Sequence, residues 1–212
     1  MSAQWIVQAT VPYIDGTFEE NGVETGHISG LSDVSFLGTW RPSSIDGLSF
    51  TLGVRAPTGE ERDQPVIGVA APSVFQLGTG TWQGMMGTGY AKQQGEWVFS
   101  SQLDVSLPLE TSRQGFRPAE SYFLTLGARR RITDSFNLGL ALQGSYTTKD
   151  EFGGLNLANT GATTIAIRPS FVWRINERLN MSGSIDLPVY WDVNAIGIAT
   201  GPTWRLGLTT SF

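Results

Sequence analysis

The chain has 212 residues, 40% of them hydrophobic and only 16% charged, against roughly 25% charged in an ordinary soluble domain. A formal charge of −5 gives a nucleic-acid partner no electrostatic support, and the absence of cysteine removes disulfides, thiolate nucleophiles and cysteine metal sites together. No apolar run approaches the ~20 residues of a membrane-spanning helix, which excludes a helical membrane protein.

Alternation with period two recurs along the whole chain and predicts ten strands, at approximately 3–14, 31–42, 47–57, 75–93, 96–109, 119–132, 135–149, 160–175, 178–192 and 199–212. In the third, Leu48, Phe50, Leu52, Val54 and Ala56 oppose Ser49, Thr51, Gly53 and Arg55. In the seventh, Phe136, Leu138, Leu140, Leu142 and Tyr146 oppose Asn137, Gly139, Ala141, Gln143 and Ser145. The eighth sets Ile165, Ile167, Phe171, Trp173 and Ile175 against Thr164, Ala166, Arg168, Ser170 and Arg174, and the tenth sets Trp204, Leu206, Leu208 and Phe212 against Arg205, Gly207, Thr209 and Ser211. Connections after the even strands are short (42–46, 93–95, 133–134, 176–177), and those after the odd strands are longer and polar (15–30, 58–74, 110–118, 150–159, 193–198). Short turns on one side and long loops on the other is the layout of a transmembrane up-and-down β-barrel. The expected fold is therefore one all-β domain over 1–212, with ten strands and twelve as the alternative.

A soluble barrel or sandwich also alternates, with its apolar face inward. Three features favour the membrane. The polar faces are rich in Gly, Ser, Thr and Ala and nearly lack Lys and Glu. Aromatic residues gather at strand ends, where interfacial girdles would put them: Trp5, Trp40, Trp82, Trp97, Trp173, Trp191 and Trp204, with tyrosines such as Tyr122 and Tyr146. The last strand ends on Phe212, like the insertion signal of bacterial outer-membrane barrels. The N-terminus, Met-Ser-Ala-Gln-Trp, has neither the basic nor the apolar region of a signal peptide, so a mature or trimmed chain is expected.

Several segments carry a family likeness: Trp5-Ile-Val-Gln-Ala-Thr-Val-Pro-Tyr13, Ser29-Gly-Leu-Ser-Asp-Val34, Leu52-Gly-Val-Arg-Ala-Pro-Thr-Gly-Glu60, Gln76-Leu-Gly-Thr-Gly-Thr-Trp-Gln83, Ile165-Ala-Ile-Arg-Pro-Ser-Phe171 and Ile185-Asp-Leu-Pro-Val-Tyr190. The chain resembles, over nearly its whole length, the transporter-like outer-membrane proteins of a phenol-degradation family. The resemblance implies a barrel that passes small aromatic or apolar molecules across the outer membrane. It also implies members longer than this chain, which makes a shortened or engineered member the expectation.

Catalysis of the Ser–His or Asp–His type needs a histidine, and the chain has one, His27, in the first long loop beside Glu24. A solvated loop residue is the simpler account, and an outer-membrane hydrolase stands or falls with it. One histidine and no cysteine make no transition-metal cluster. The loop carboxylates Glu19, Glu20, Glu24, Glu60, Glu61, Asp63, Asp150 and Glu151 lack calcium-loop spacing and read as a solvated acidic rim. Gly78-Thr-Gly80 has no following helix to cradle phosphate and reads as a bend or a close backbone approach. No metal or cofactor is expected.

The remaining constellation is the lumen. Strand parity turns Arg41, Arg55, Asp104, Arg129, Arg168, Arg174, Asp186 and Arg205 inward, six arginines against two aspartates. Rings of arginine give a pore anion preference. Alternatively Arg168 with Asp186, and Asp104 with a neighbouring arginine, brace the interior as ion pairs. Ten strands lie near the closed end of the range between a filled eight-stranded barrel and an open sixteen-stranded one. The expectation is a monomeric, narrow, mildly anion-preferring pore in the bacterial outer membrane, with lipid and the barrel-insertion machinery as partners. A plugged scaffold barrel is the second reading.

Overall fold

The computed structural model describes residues 4–20, 23–60, 77–113, 115–158, 160–194 and 201–210. The strands are β1 (Gln4–Thr10), β2 (Tyr13–Glu20), β3 (Val23–Leu31), β4 (Val34–Arg41), β5 (Leu48–Ala56), β6 (Gln83–Gln94), β7 (Trp97–Pro108), β8 (Phe116–Arg117), β9 (Ser121–Arg131), β10 (Phe136–Thr147), β11 (Glu151–Phe152), β12 (Leu155–Asn156), β13 (Ala162–Arg174), β14 (Leu179–Val193) and β15 (Thr203–Thr210). Ten of them form one antiparallel sheet in the order β1-β4-β5-β6-β7-β9-β10-β13-β14-β15, each beside its successor in the chain. These are the ten strands the alternation predicts. β1 and β15 are the two ends of that order, and no pairing joins them among the described residues.

Two smaller sheets lie in the long loops. β2 pairs with β3 as a hairpin inside the stretch 15–30 that reads as a loop in sequence. The stretch holds Asp15, Glu19, Glu20, Asn21 and Glu24 with four glycines, a composition that reads as a polar loop. β8, β11 and β12 join two further loops into a three-stranded sheet. β6 begins at Gln83 rather than near 75, because Leu77 to Trp82 leave the ladder for a loop junction described below.

The wall is one layer thick and its polarity is that of a protein in lipid. Among the described residues only Ala56, Leu77 and Phe116 are buried hydrophobics, while Leu52 is 68% exposed and Leu140 57%. Register aligns these apolar side chains in rows such as Leu126–Leu142–Ile167, all on one face. In water so continuous an apolar surface would drive association. A soluble barrel or sandwich would instead bury that face, so the soluble reading fails and the fold is a transmembrane antiparallel up-and-down β-barrel. In such a wall every backbone polar group between neighbouring strands is paired, as hydrocarbon requires.

Candidate functional site

Residues directly opposite in an antiparallel ladder share a face, so register carries face identity from strand to strand. Arg55 lies across from Ser35 and Gln83, Arg41 from Gln4, and Asp104 from Gly87. Arg129 lies across from Val98 and Gly139, Arg168 from Ala141, Arg174 from Asn180, Asp186 from Thr203 and Arg205 from Ser184. All eight charges named from sequence share the face opposite Leu52, Leu140 and Leu206. Arg131, across from Asn137, is a ninth charge on that face, missed because it sits at a strand end.

These charges occupy three levels. Midway along the wall, Asp186 receives Arg168 on both carboxylate oxygens, with Nη2 to Oδ2 at 2.9 Å, and Arg205 from the next strand binds the same carboxylate. Asp186 keeps only 15% side-chain exposure, whereas Arg205 keeps 52%. Toward the long loops, Arg55 donates to Gln83 Oε1 at 3.0 Å and to Ser35 Oγ at 3.4 Å. Ser106 Oγ donates to the same Gln83 oxygen at 3.1 Å, so four strands are tied together. Toward the short turns stand Arg41, Arg129, Arg131 and Arg174; Arg174 donates to the Asp134 carbonyl at 2.7 Å. The expected pairing of Asp104 with an arginine is not made. Its row neighbours are Gly87 and Phe123, neither cationic, and its carboxylate accepts instead from Gln102 Nε2 at 3.0 and 2.8 Å.

A second site escaped the sequence reading as a unit. Segments around Asp33, Thr58 and Thr79 converge beside the long-loop ends of β4, β5 and β6. Asp33 is 3% exposed and accepts from Gly59 N at 3.0 Å, Thr79 N at 2.9 Å and Thr79 Oγ1 at 2.8 Å. Val34 N donates to Thr58 Oγ1 at 2.9 Å and Gly78 N to the Glu60 carbonyl at 3.1 Å. Gly59 and Gly78 pass so close that a Cβ on either would strike the other's backbone, which only glycine tolerates. Gly80 then turns at φ +65. The bend and the close approach expected of Gly78-Thr-Gly80 are both present. Asp150, read from sequence as solvated, is also a loop anchor: it is 3% exposed and accepts from Ala119 N at 2.7 Å.

Aromatic rings form two belts on the apolar face. Trp5, Trp40 and Phe50 stack in succession at the short-turn end, with centroids 6.4 and 5.8 Å apart. Trp97 stacks on Phe99 there and Phe136 on Phe171, with Trp173 across from Phe136. Arg130 covers Trp97, its guanidinium carbon 5.6 Å from the ring, and reaches Glu96 at 3.4 Å. At the long-loop end Tyr122 meets Tyr146 at 6.1 Å. Trp82 stands exposed before β6, and Trp204 lies across from Ile185 on the apolar face. Trp191 departs from the alternation. An extra residue, Val189, interrupts the ladder between the pairs Ala166–Pro188 and Ile165–Tyr190, so Trp191 lies across from Thr164 on the polar face. Phe212 lies outside the described residues. His27 stands on β3 with Nε2 3.8 Å from Asp15 Oδ1, and its side chain is 47% exposed.

A sequence family described as "Putative MetA-pathway of phenol degradation" matches residues 1–201. Among solved structures, the crystal structure of an outer membrane channel from Pseudomonas putida F1 has a TM-score of 0.77 at 16% identity, covering 97% of this chain and 75% of that one. No curated protein matches the chain.

Proposed function

The chain belongs to this phenol-degradation family, and on that footing we propose that it forms a narrow, water-filled pore of the bacterial outer membrane for ions and small solutes, with a mild preference for anions. The observation that carries this reading is the inverted wall: apolar side chains exposed on one face, and on the other seven arginines against two aspartates. The outer face fits a bilayer in height. Phe136 and Tyr146, in the two aromatic belts, lie ten residues apart on β10, about 33 Å of strand. Tilted at roughly 40°, that length spans the ~25 Å apolar band of outer-membrane barrels.

On the inner face Gly53, Ser100, Gly139, Ala141, Ser145 and Gly207 leave room for water. Asp186 draws Arg168 and Arg205 against the wall rather than across it. The pore is monomeric and needs only lipid and the insertion machinery as partners. The similar structure's being an outer membrane channel supports the reading.

Single-channel current across a planar bilayer tests it. Discrete steps with a reversal potential toward that of the anion are expected, and the double variant Arg168→Ala, Arg205→Ala lowers the preference. Unchanged selectivity in that variant would overturn the inward placement of the arginines. The brace at Asp186 and the four-strand tie through Gln83 favour a second reading, a plugged scaffold barrel. Inserted protein that passes no current would establish it.

A further inference from the structure

At the long-loop rim, two cross-strand rows border one cavity of about 670 Å³. The first belongs to the barrel. Tyr146, Thr163 and Asp192 lie directly across from one another on β10, β13 and β14, with the parity of the lipid-facing Leu142. Thr147 and Ala162, of the polar parity, border the cavity too, so it sits where the two faces meet at the rim. The second row belongs to the small loop sheet, where Asn156, Glu151 and Arg117 stand in line across β12, β11 and β8. The other face of that sheet carries the pair Phe116 and Phe152, and Phe116 is only 3% exposed. Burying the phenylalanines leaves the polar row to the cavity. Asp150 fixes the sheet in place, accepting from Ala119 N at 2.7 Å and donating its own N–H to Thr160 Oγ1 at 2.9 Å.

Charges of both signs border this cavity without meeting. Arg117 and Glu151 lie directly across the β8–β11 ladder, the arrangement in which opposite charges normally pair. Among the described residues, however, Arg117, Lys149, Glu151 and Asp192 make no ion pair, and their side chains make no hydrogen bond. Of the cavity's charged residues only Glu120 is engaged, accepting from the Tyr122 hydroxyl at 2.7 Å. Strong donors and acceptors therefore stand open, side by side, on a concave surface held by its own backbone.

We propose that this cavity binds a neutral or amino saccharide, a role separate from conduction. Three carboxylates against two cations repel an anionic ligand. An apolar solute would cover charged groups and give them no partner, which is costly. A zwitterion needs its two partners apart, whereas Arg117 and Glu151 adjoin. A sugar meets all three conditions. Each of its hydroxyls both donates and accepts, so neighbouring hydroxyls serve a guanidinium and a carboxylate in turn. Hydrogen bonds to charged groups are the strong kind. Tyr146, 54% exposed, offers its ring to the C–H face of the sugar and keeps its hydroxyl for water. The volume lies within the ~300–1,000 Å³ usual for small-molecule sites. The place on the rim admits two sources of the same chemistry, the headgroup of a glycolipid in the bilayer and a soluble oligosaccharide.

The test is retention of the labelled full chain, refolded in dodecylphosphocholine, on an array of immobilised neutral, amino and acidic oligosaccharides. Neutral or amino glycans should hold it. Arg117→Ala and Asp192→Ala should each weaken that retention about tenfold or more, the worth of a hydrogen bond to a charged group. Arg113→Ala, a loop arginine outside the cavity, should leave it unchanged. Heat-modifiable migration in sodium dodecyl sulfate shows that each variant is folded. The best glycan then competes against the array in two forms, free and as the headgroup of a lipid mixed into the micelle. Stronger competition by the lipid form assigns the site to a glycolipid, and equal competition to a soluble saccharide. Retention by no glycan, by acidic glycans alone, or undiminished in both cavity variants would overturn the site. Single-channel current should persist in those variants, so either reading can fail while the other stands.

Discussion

Arg168 holds Asp186 with two parallel hydrogen bonds, Nε to Oδ1 and Nη2 to Oδ2, from directly across the β13–β14 ladder. This fork is the strong form of a charge-assisted pair. Arg205 joins from β15, so one carboxylate fastens three strands and masks one of two positive charges. Replacing Asp186→Asn keeps the shape and removes the charge. Anion preference should rise, read as a reversal potential displaced further toward the anion's. Stability in lipid should fall by on the order of 1–3 kcal/mol, read as urea unfolding, because hydrogen bonds to a charged group are lost. A variant with lower anion preference would refute the proposed role of the triad.

Asp33 makes a different contribution, to the loops rather than the passage. Its three accepted hydrogen bonds come from Gly59 and Thr79 and hold together two segments separated by twenty residues of chain. With Asp33→Ala the Gly59 and Thr79 amides lose their acceptor in a site almost closed to water, at a cost of roughly 2–4 kcal/mol for the pair. Limited proteolysis should then cut near 58–60 and 77–82 in the variant and spare those positions in the parent chain. The ten-stranded wall does not depend on these bonds, and its resistance to sodium dodecyl sulfate without heating should persist. Identical cleavage patterns would show that the junction closes without Asp33.

What the sequence makes legible follows from which interactions are local. Alternation of Leu, Phe and Ile with Gly, Ser and Arg marks each strand, because a half-lipid, half-water wall forces period two. It also assigns faces, as for Arg55 or Arg205, wherever a strand runs without interruption. Face assignment fails at Trp191, where the single extra residue Val189 reverses parity; Pro188 beside it, a proline inside a strand, is the local sign of a bulge. Partners are less legible still, since they depend on register between strands. Arg168 and Asp186 meet because their ladders align, whereas Asp104 falls between Gly87 and Phe123 and takes Gln102. The Asp33 junction joins three stretches whose small, polar residues each look like ordinary turns.

The bulge gives a prediction of its own. With the six other tryptophans changed to phenylalanine, emission from Trp191 should be quenched by aqueous iodide and only weakly by brominated lipid chains. Deleting Val189 restores strict alternation and carries Trp191 to the apolar face. Quenching should then exchange, with brominated lipid the stronger agent. Strong lipid quenching in the chain with Val189 intact would mean that Trp191 belongs to the belt after all.

Neighbouring residues at one height of β10 test which face meets lipid. Leu142 lies in the apolar row with Leu126 and Ile167, while Gln143, one residue on, lies across from Thr125 and Ala166 on the polar face. An arginine on the lipid side near the middle of the band costs about 2–4 kcal/mol, and on the water-filled side that penalty is absent. Leu142→Arg should therefore lower the unfolding free energy in lipid vesicles by about that amount, whereas Gln143→Arg should leave it nearly unchanged and shift the reversal potential toward the anion. Two further observations would accompany a correct assignment: the Leu142 variant inserts more slowly, and its single-channel selectivity, where it inserts, matches the parent's. Equal losses of stability at the two positions would mean that both faces meet the same medium, and the inverted wall would no longer imply a membrane.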